Sequence, residues 1–217
     1  MSQHAEGSWD ARYAKDGYLF GTDPNAFLVR QAHHIPRSGL VLAVADGEGR
    51  NGVWLAQQGY GVHAIEASMV AIEKATSLAV SRGVAVVEDF TSIQPGCIYF
   101  EQVDVLNWTW PFEQYDAVVA IFIQFATPTQ RRKLFGELSA AIKRNGVLLM
   151  EGYHQRQLGF GTGGPSVLEQ LYDAELLRES FADLDLILLL DYDQEIDEGQ
   201  GHRGRSALTD LVARKSL

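Results

Sequence analysis

Leu40-Val41-Leu42-Ala43-Val44-Ala45-Asp46-Gly47-Glu48-Gly49-Arg50-Asn51-Gly52 decides the fold. An apolar run stops at an acid and a pair of glycines. A short helical pattern, Val53 to Gln58, follows and ends at Gly59. Gly47, Gly49 and Gly52 form G-x-G-x-x-G between a strand and a helix. Glycine is needed there because the turn is tight and a ligand must lie against bare backbone. The first N–H groups of the helix have no partner within it and face that ligand. A second run, Gly61 to Ile65, ends at Glu66. An acid at the tip of the second strand, about 20 residues on, is placed to hold a ribose through its hydroxyls. Turn, helix and acid together predict an adenosine-type cofactor.

The 217 residues suit one domain over 1–217, with residues 1–25 as an N-terminal lid. A hydrophobic share of 46% and a charged share of 21% predict a globular chain with a proper core. The net charge of -10 would repel polyanions, so no nucleic acid and no anionic membrane is expected as partner. Cys97 is the single cysteine, which rules out an internal disulfide and fits a reducing compartment. Met1 to Glu6 is polar and lacks a signal-peptide core. The longest apolar run, Leu186 to Leu190, is too short to span a bilayer. A soluble cytoplasmic protein is expected, as monomer or homodimer, acting on a small molecule.

Ser8 to Thr22 is rich in aromatics and glycine and reads as irregular. Asp23-Pro24 reads as a helix start, cap then proline, running through Phe27 to Val29 and stopping before Pro36. Ser68 caps a helix that ends at Gly83. Val84 to Val87 reads as a connection, and Ile98 to Val103 as the third strand. Tyr115 to Phe125 reads as a buried strand. Thr127-Pro128-Thr129-Gln130 opens a helix with a capping box, and Asn145-Gly146 ends it. Val147 to Met150 is a strand, Gly159 to Pro165 a glycine-rich loop, and Ser166-x-x-Glu169 a further helix start. Leu184 to Leu190 and Ala207 to Ala213 lack a helix between them, so they should pair antiparallel. The result is an α/β fold: a doubly wound, mostly parallel sheet with a C-terminal antiparallel strand pair. Its strand-end loops converge on one crevice.

A P-loop would need a Gly-Lys pair, which is absent. A short dehydrogenase would use Tyr-x-x-x-Lys, and none of the eight tyrosines is followed by lysine at that spacing. A third reading rests on motifs spread along the chain. They are Trp9-Asp10-x-Arg12-Tyr13, Gly21-x-x-Pro24-Asn25, Asp46-Gly47-Glu48-Gly49-Arg50-Asn51, Glu66 and Asp104. Later come Glu151-Gly152-Tyr153, Gln157-Leu158 with Thr162-Gly163-Gly164-Pro165, and Glu198-Gly199-x-Gly201-His202-x-Gly204. In these the chain resembles the class I S-adenosylmethionine-dependent methyltransferases. The branch it resembles most is a bacterial one related to the tellurite-resistance and thiopurine methyltransferases. The resemblance implies a Rossmann-like methyltransferase fold, S-adenosylmethionine as cofactor, and methyl transfer to a small acceptor. A soft nucleophile is favoured, such as a thiol or a selenium or tellurium oxyanion. An NAD(P)-binding oxidoreductase and a non-catalytic S-adenosylmethionine-binding module are the competing readings.

The resemblance also implies roles. Gly47 and Gly49 would lie against the methionine part, and Glu66 would take the ribose hydroxyls. Asp104, Val105 and Leu106 would hold the adenine, and Ile121 and Phe122 would floor the sulfonium. Tyr13, Asp46, Glu48, Asn51 and Ala67 complete the expected cofactor set. Ala43 and Ala45 stand where the class usually carries an acid and a glycine, so Asp46 and Glu48 are the acids nearest the methionine end.

The cofactor brings an activated methyl group, so the protein's task is placement and exclusion of water. A thiolate or oxyanion acceptor needs no strong base; a hydroxyl or amine does. Glu151, Tyr153 and His202 are the candidate catalytic groups. Glu151-x-x-His154 has a metal-site spacing, but a strand end does not converge those side chains, so no metal is expected. Ser8–Asn25 and Gly159–Pro165 read as lids.

Overall fold

The computed structural model describes residues 9–199 and 201–216. The chain begins with two short helices, α1 (Trp9–Tyr13) and α2 (Ala26–Gln31). Then come β1 (Leu40–Val44), α3 (Arg50–Gln57), β2 (Gly61–Glu66) and α4 (Met69–Ser81). β3 (Ala85–Val86), β4 (Cys97–Gln102), β5 (Tyr115–Ile121) and α5 (Pro128–Ala141) follow. The last elements are β6 (Ile142–Tyr153), α6 (Ala174–Ser180), β7 (Asp185–Asp197) and β8 (Arg203–Arg214). The eight strands make one sheet in the order β3-β4-β2-β1-β5-β6-β8-β7. Pairing is parallel from β3 to β6 and antiparallel where β8 meets β6 and β7. This is the expected doubly wound sheet with its terminal antiparallel pair.

Alternation along β1 shows why the parallel strands read as continuous apolar runs. Leu42 and Val44 face α5 and α6, against Leu134, Phe135, Leu177 and Phe181. Val41 and Ala43 face the other way, against Leu28, Val53, Leu55 and Leu78. Both faces are covered, so every position in the strand is apolar. Chain reversal between β1 and β5 opens the crevice at the carboxyl ends of the strands.

Local structure departs from the sequence reading in several places. Trp9 to Tyr13 forms a helix of 5 residues, too short to show a period. α2 is capped by Asn25, whose side chain accepts from Leu28 N at 2.9 Å, so Asp23-Pro24 lies outside the helix. Ala85–Val86 is a brief strand beside β4, not a connection. β5 stops at Ile121, because Phe122 takes a φ of 56°. α5 has the capping box expected at Thr127, but ends at Ala141. Ile142 already pairs with Tyr115, so the helix runs into β6 before Asn145-Gly146. The segment after Ser166 makes only a 3-10 turn over Leu168–Gln170; α6 starts later, capped by Asp173. Among the described residues no helix is long and apolar enough to cross a membrane.

Candidate active site at the strand ends

Two non-glycine residues with left-handed backbone sit at the crevice: Ala45 (φ 49°) after β1 and Phe122 (φ 56°) after β5. Such backbone is costly and collects at functional sites. At Ala45 it explains why glycine is the usual residue there.

Asp46 follows, and both its oxygens accept from Gly52 N, at 3.1 and 3.2 Å. It therefore holds the first turn of α3. Burial raises its pKa to about 7 against the lowering effect of that N–H. Gly49 has a φ of 86°, and a β-carbon there would stand 2.6 Å from the Ala75 methyl. Glycine is thus required by the close approach of α3 to α4. Over Gly47 lies the Tyr13 hydroxyl, 3.0 Å from where a β-carbon would be. Glu66 closes the turn from the tip of β2. Its oxygens accept from Gly47 N and Ser68 N, each at 3.0 Å, and burial raises its pKa. Ala67 beside it is exposed.

Glu48 and Asn51 were expected to face the cofactor. In the structure they also fasten the N-terminal arm. Glu48 accepts from Leu19 N at 2.6 Å and from Lys74 Nζ at 3.0 Å, and Asn51 accepts from Asn25 N at 2.9 Å. Asp104 is exposed at the end of the β4 segment. It holds a turn by accepting from Leu106 N at 3.0 Å and Asn107 Nδ2 at 2.6 Å. Val105 is buried next to it, and Leu106 is half-buried. Val103 N donates to Glu66 O at 2.8 Å, which sets this turn beside the tip of β2.

Tyr153 and His202 meet directly, with hydroxyl and Nδ1 2.6 Å apart. The His202 ring is stacked between Phe20 at 4.4 Å and Phe122 at 4.3 Å. It is buried, not a solvated loop histidine. Burial first, then the Arg50 and Arg12 guanidinium groups, lower its pKa to about 3. Burial raises the Tyr153 phenol, with Glu198 and Glu151 adding to it. Glu151 is otherwise engaged. It accepts from Asn25 Nδ2 at 2.8 Å and lies opposite Asp210 in the β6–β8 register. Burial, then Asp210 and Glu198, hold its pKa well above the usual carboxylate range. Ile121 is buried at the end of β5.

A clasp absent from the expected site completes it. Arg50 Nη2 pairs with Glu198 Oε2 at 2.8 Å, both side chains being buried or nearly so. Glu198 also accepts from Asn25 Nδ2 at 3.2 Å and Ala26 N at 3.1 Å, and Gly201 N donates to Leu19 O at 3.1 Å. The tip of the β7–β8 hairpin is thereby tied to the arm and to the glycine turn. The motifs around Arg50 and Glu198 were visible in the sequence; their pairing was not.

The described part of the arm, residues 9–25, lies over the glycine turn; residues 1–8 fall outside the described residues. Gly159–Pro165 is pinned rather than free at its glycine pair. Gln157 Nε2 donates to Thr162 Oγ1 at 3.0 Å and Gly163 O at 3.1 Å, and a β-carbon on Gly164 would stand 2.6 Å from the Tyr153 ring. Its glycine pair is fixed by packing on Tyr153.

Sheet order and crevice together define the Rossmann-like methyltransferase fold. Residues 41–146, from β1 into β6, match the family model of the methyltransferase domain. That match bears out the expected class, an S-adenosylmethionine-dependent methyltransferase, and with it the cofactor. Among solved structures, one from the conversion of a disulfide bond into a thioacetal group in echinomycin biosynthesis superposes with a TM-score of 0.72. It is 17% identical, over 95% of this chain and 88% of that one. The N-methyltransferase NodS from Bradyrhizobium japonicum with S-adenosylhomocysteine gives 0.67 at 12% identity, over 96% and 97%. TehB from Haemophilus influenzae gives 0.66 at 17%, over 88% of this chain and 62% of that one. At these identities the likeness is one of fold. No curated protein matches the chain by sequence.

Proposed function

We propose that the protein methylates a small acceptor through a soft nucleophile, a thiolate or a selenium or tellurium oxyanion, as in the tellurite-resistance and thiopurine branch. The observation that carries this is the state of the groups beside Phe122. His202, with a pKa near 3, is too weak a base to take a proton from a hydroxyl or an ammonium. The Tyr153 phenol is raised by burial and stays protonated. Glu151, raised well above the usual carboxylate range by burial and by Asp210 and Glu198, already accepts from Asn25 Nδ2. An acceptor must therefore arrive with its lone pair already free.

The residues present fit S-adenosylmethionine. Glu66 has acceptor capacity left beyond its two backbone N–H partners, which suits ribose hydroxyls. Asp104, Val105 and Leu106 would bracket the adenine at the neighbouring strand end. When bound, the cofactor supplies a methyl group on a sulfonium, already activated. The chain's own work is to hold it at Gly47, present the acceptor at Phe122, Tyr153 and His202, and keep water out with Tyr13 and Trp9. In support of that last role, Trp9 and Tyr13 stack with ring centroids 5.5 Å apart over the turn.

Labelled cofactor offered a panel of acceptors tests this. Thiols, selenite or tellurite should accept the methyl group; phenols and alkylammonium groups, which need a base, should not. Efficient labelling of an amine would sink the soft-nucleophile reading. Calorimetric binding of NAD in place of S-adenosylhomocysteine would sink the methyltransferase reading itself.

A further inference from the structure

Arg50 opens α3 directly after the glycine turn, and its side chain is only 8% exposed. One end of the guanidinium is engaged by Glu198. The other, Nη1, is buried and has no hydrogen-bond partner among the described residues. A buried cationic donor without a partner loses its hydration with nothing in exchange. Nearby acids do not supply the missing acceptor, because none of their bonds reaches Nη1. Asp46 holds Gly52 N, Glu48 holds Leu19 N and Lys74, and Glu66 holds Gly47 N and Ser68 N. Glu198 divides itself among Arg50, Asn25 and Ala26. The neighbouring His202 is kept neutral partly by Arg50 and by Arg12. Arg12 itself lies 4.2 Å over the Trp9 ring on the arm. This corner of the crevice holds the acids Asp46, Glu48, Glu66 and Glu198, yet one planar donor, Arg50 Nη1, is left short of a partner.

We infer that Arg50 Nη1 is the recognition point for a small oxyanion of the carboxylate type. Two molecules bring that group to the crevice on the reading above, on which the inference rests: the cofactor, through its methionine carboxylate, and an oxyanionic acceptor. With Asp46 and Glu48 both turned inward, Arg50 is then the side chain that selects for charge at the methionine end of the site. Its planar fork bonds Glu198 with one nitrogen and the ligand with the other, a fixed two-nitrogen geometry that the single ammonium of lysine does not reproduce.

Arg50→Lys keeps a cation for Glu198 and removes the second nitrogen. Calorimetry on the full chain would compare S-adenosylhomocysteine with its decarboxylated analogue, and separately measure sodium selenite and sodium acetate. If the cofactor carboxylate is the ligand, the native protein prefers S-adenosylhomocysteine by about 10- to 100-fold, and the variant loses that preference while binding the analogue as before. If an acceptor oxyanion is the ligand, the preference survives the substitution and the binding of selenite or acetate disappears. Either result supports the site. An unaltered preference together with unaltered oxyanion binding overturns it. The pair Arg50→Gln with Glu198→Gln leaves no buried charge unpaired and should repeat the pattern if Arg50→Lys fails to fold. A native protein that binds neither adenosyl compound refutes the methyltransferase reading, and the Arg50 site is then decided by selenite and acetate alone.

Discussion

His202 shows how much of the chemistry here is set by packing. Between two phenylalanine rings and against Tyr153, it has no room for the water that would carry its charge. Its folded pKa is lowered from 6.5 to about 3, so the unfolded chain binds a proton there that the folded one refuses. The stability this represents is full above pH 6.5 and is lost as the pH falls toward 3. Asp210 has the opposite sign: raised from 3.8 to about 6 by burial, it costs stability as the pH climbs through that window. His202→Phe keeps the stack and removes the titration. Urea unfolding across an acid series should then lose up to about 1.4 kcal/mol per pH unit of slope below 6.5. An unchanged acid limb would mean that His202 is hydrated in solution. The motif that holds His202 was legible in the sequence, but its burial was not, because the arm that covers it comes from the far end of the chain. The same is true of Glu48 and Asn51. Their place beside the glycine turn could be read from spacing, whereas their direction depends on Leu19 and Asn25.

Between elements, the decisive contact is the hairpin tip against the arm. Gly199 has a φ of 80°, and a β-carbon there would run into the Gly21 nitrogen and the Phe20 carbonyl carbon. Backbone cannot step aside as a flexible side chain would. Gly199→Ala should cost roughly 1–3 kcal/mol and lift the arm, seen as a lower melting temperature together with higher tryptophan accessibility at Trp9. A variant as stable as the parent, with Trp9 unchanged, would show that the clasp is not tight. β1, α3, β2 and the Thr127 cap were readable because each combines a period with a terminal signal. The start of α6 was not, since Ser166 and Asp173 both look like caps. Burial of Leu177 and Phe181 in the core decides for the second. Asp23 lost to Asn25 for a similar reason: Asn25 is fully buried and bonded on several sides, while the Asp23 side chain stands 95% exposed.

Across the whole molecule, arm and hairpin tip should respond to ligand as one body. Leu19, Asn25 and Ala26 are bonded to Gly201 and Glu198, and both segments lean on α3 through Asn51 and Arg50. Adding S-adenosylhomocysteine should therefore slow hydrogen exchange over residues 9–25 and 198–202 together. Slowing in the arm alone would show that the two are not coupled. Exchange already slow without ligand, and unaltered by it, would make the arm a fixed strut and remove its part in excluding water.

The clasp also orders events in time. Asn25 and Glu198 are 173 residues apart, so the first cannot find the second until nearly all of the chain has been translated. The glycine turn and the tip of β2 leave the ribosome long before. At ordinary elongation rates the two halves of the clasp are made on the order of ten seconds apart. The contact that closes the arm over the site is therefore among the last to form.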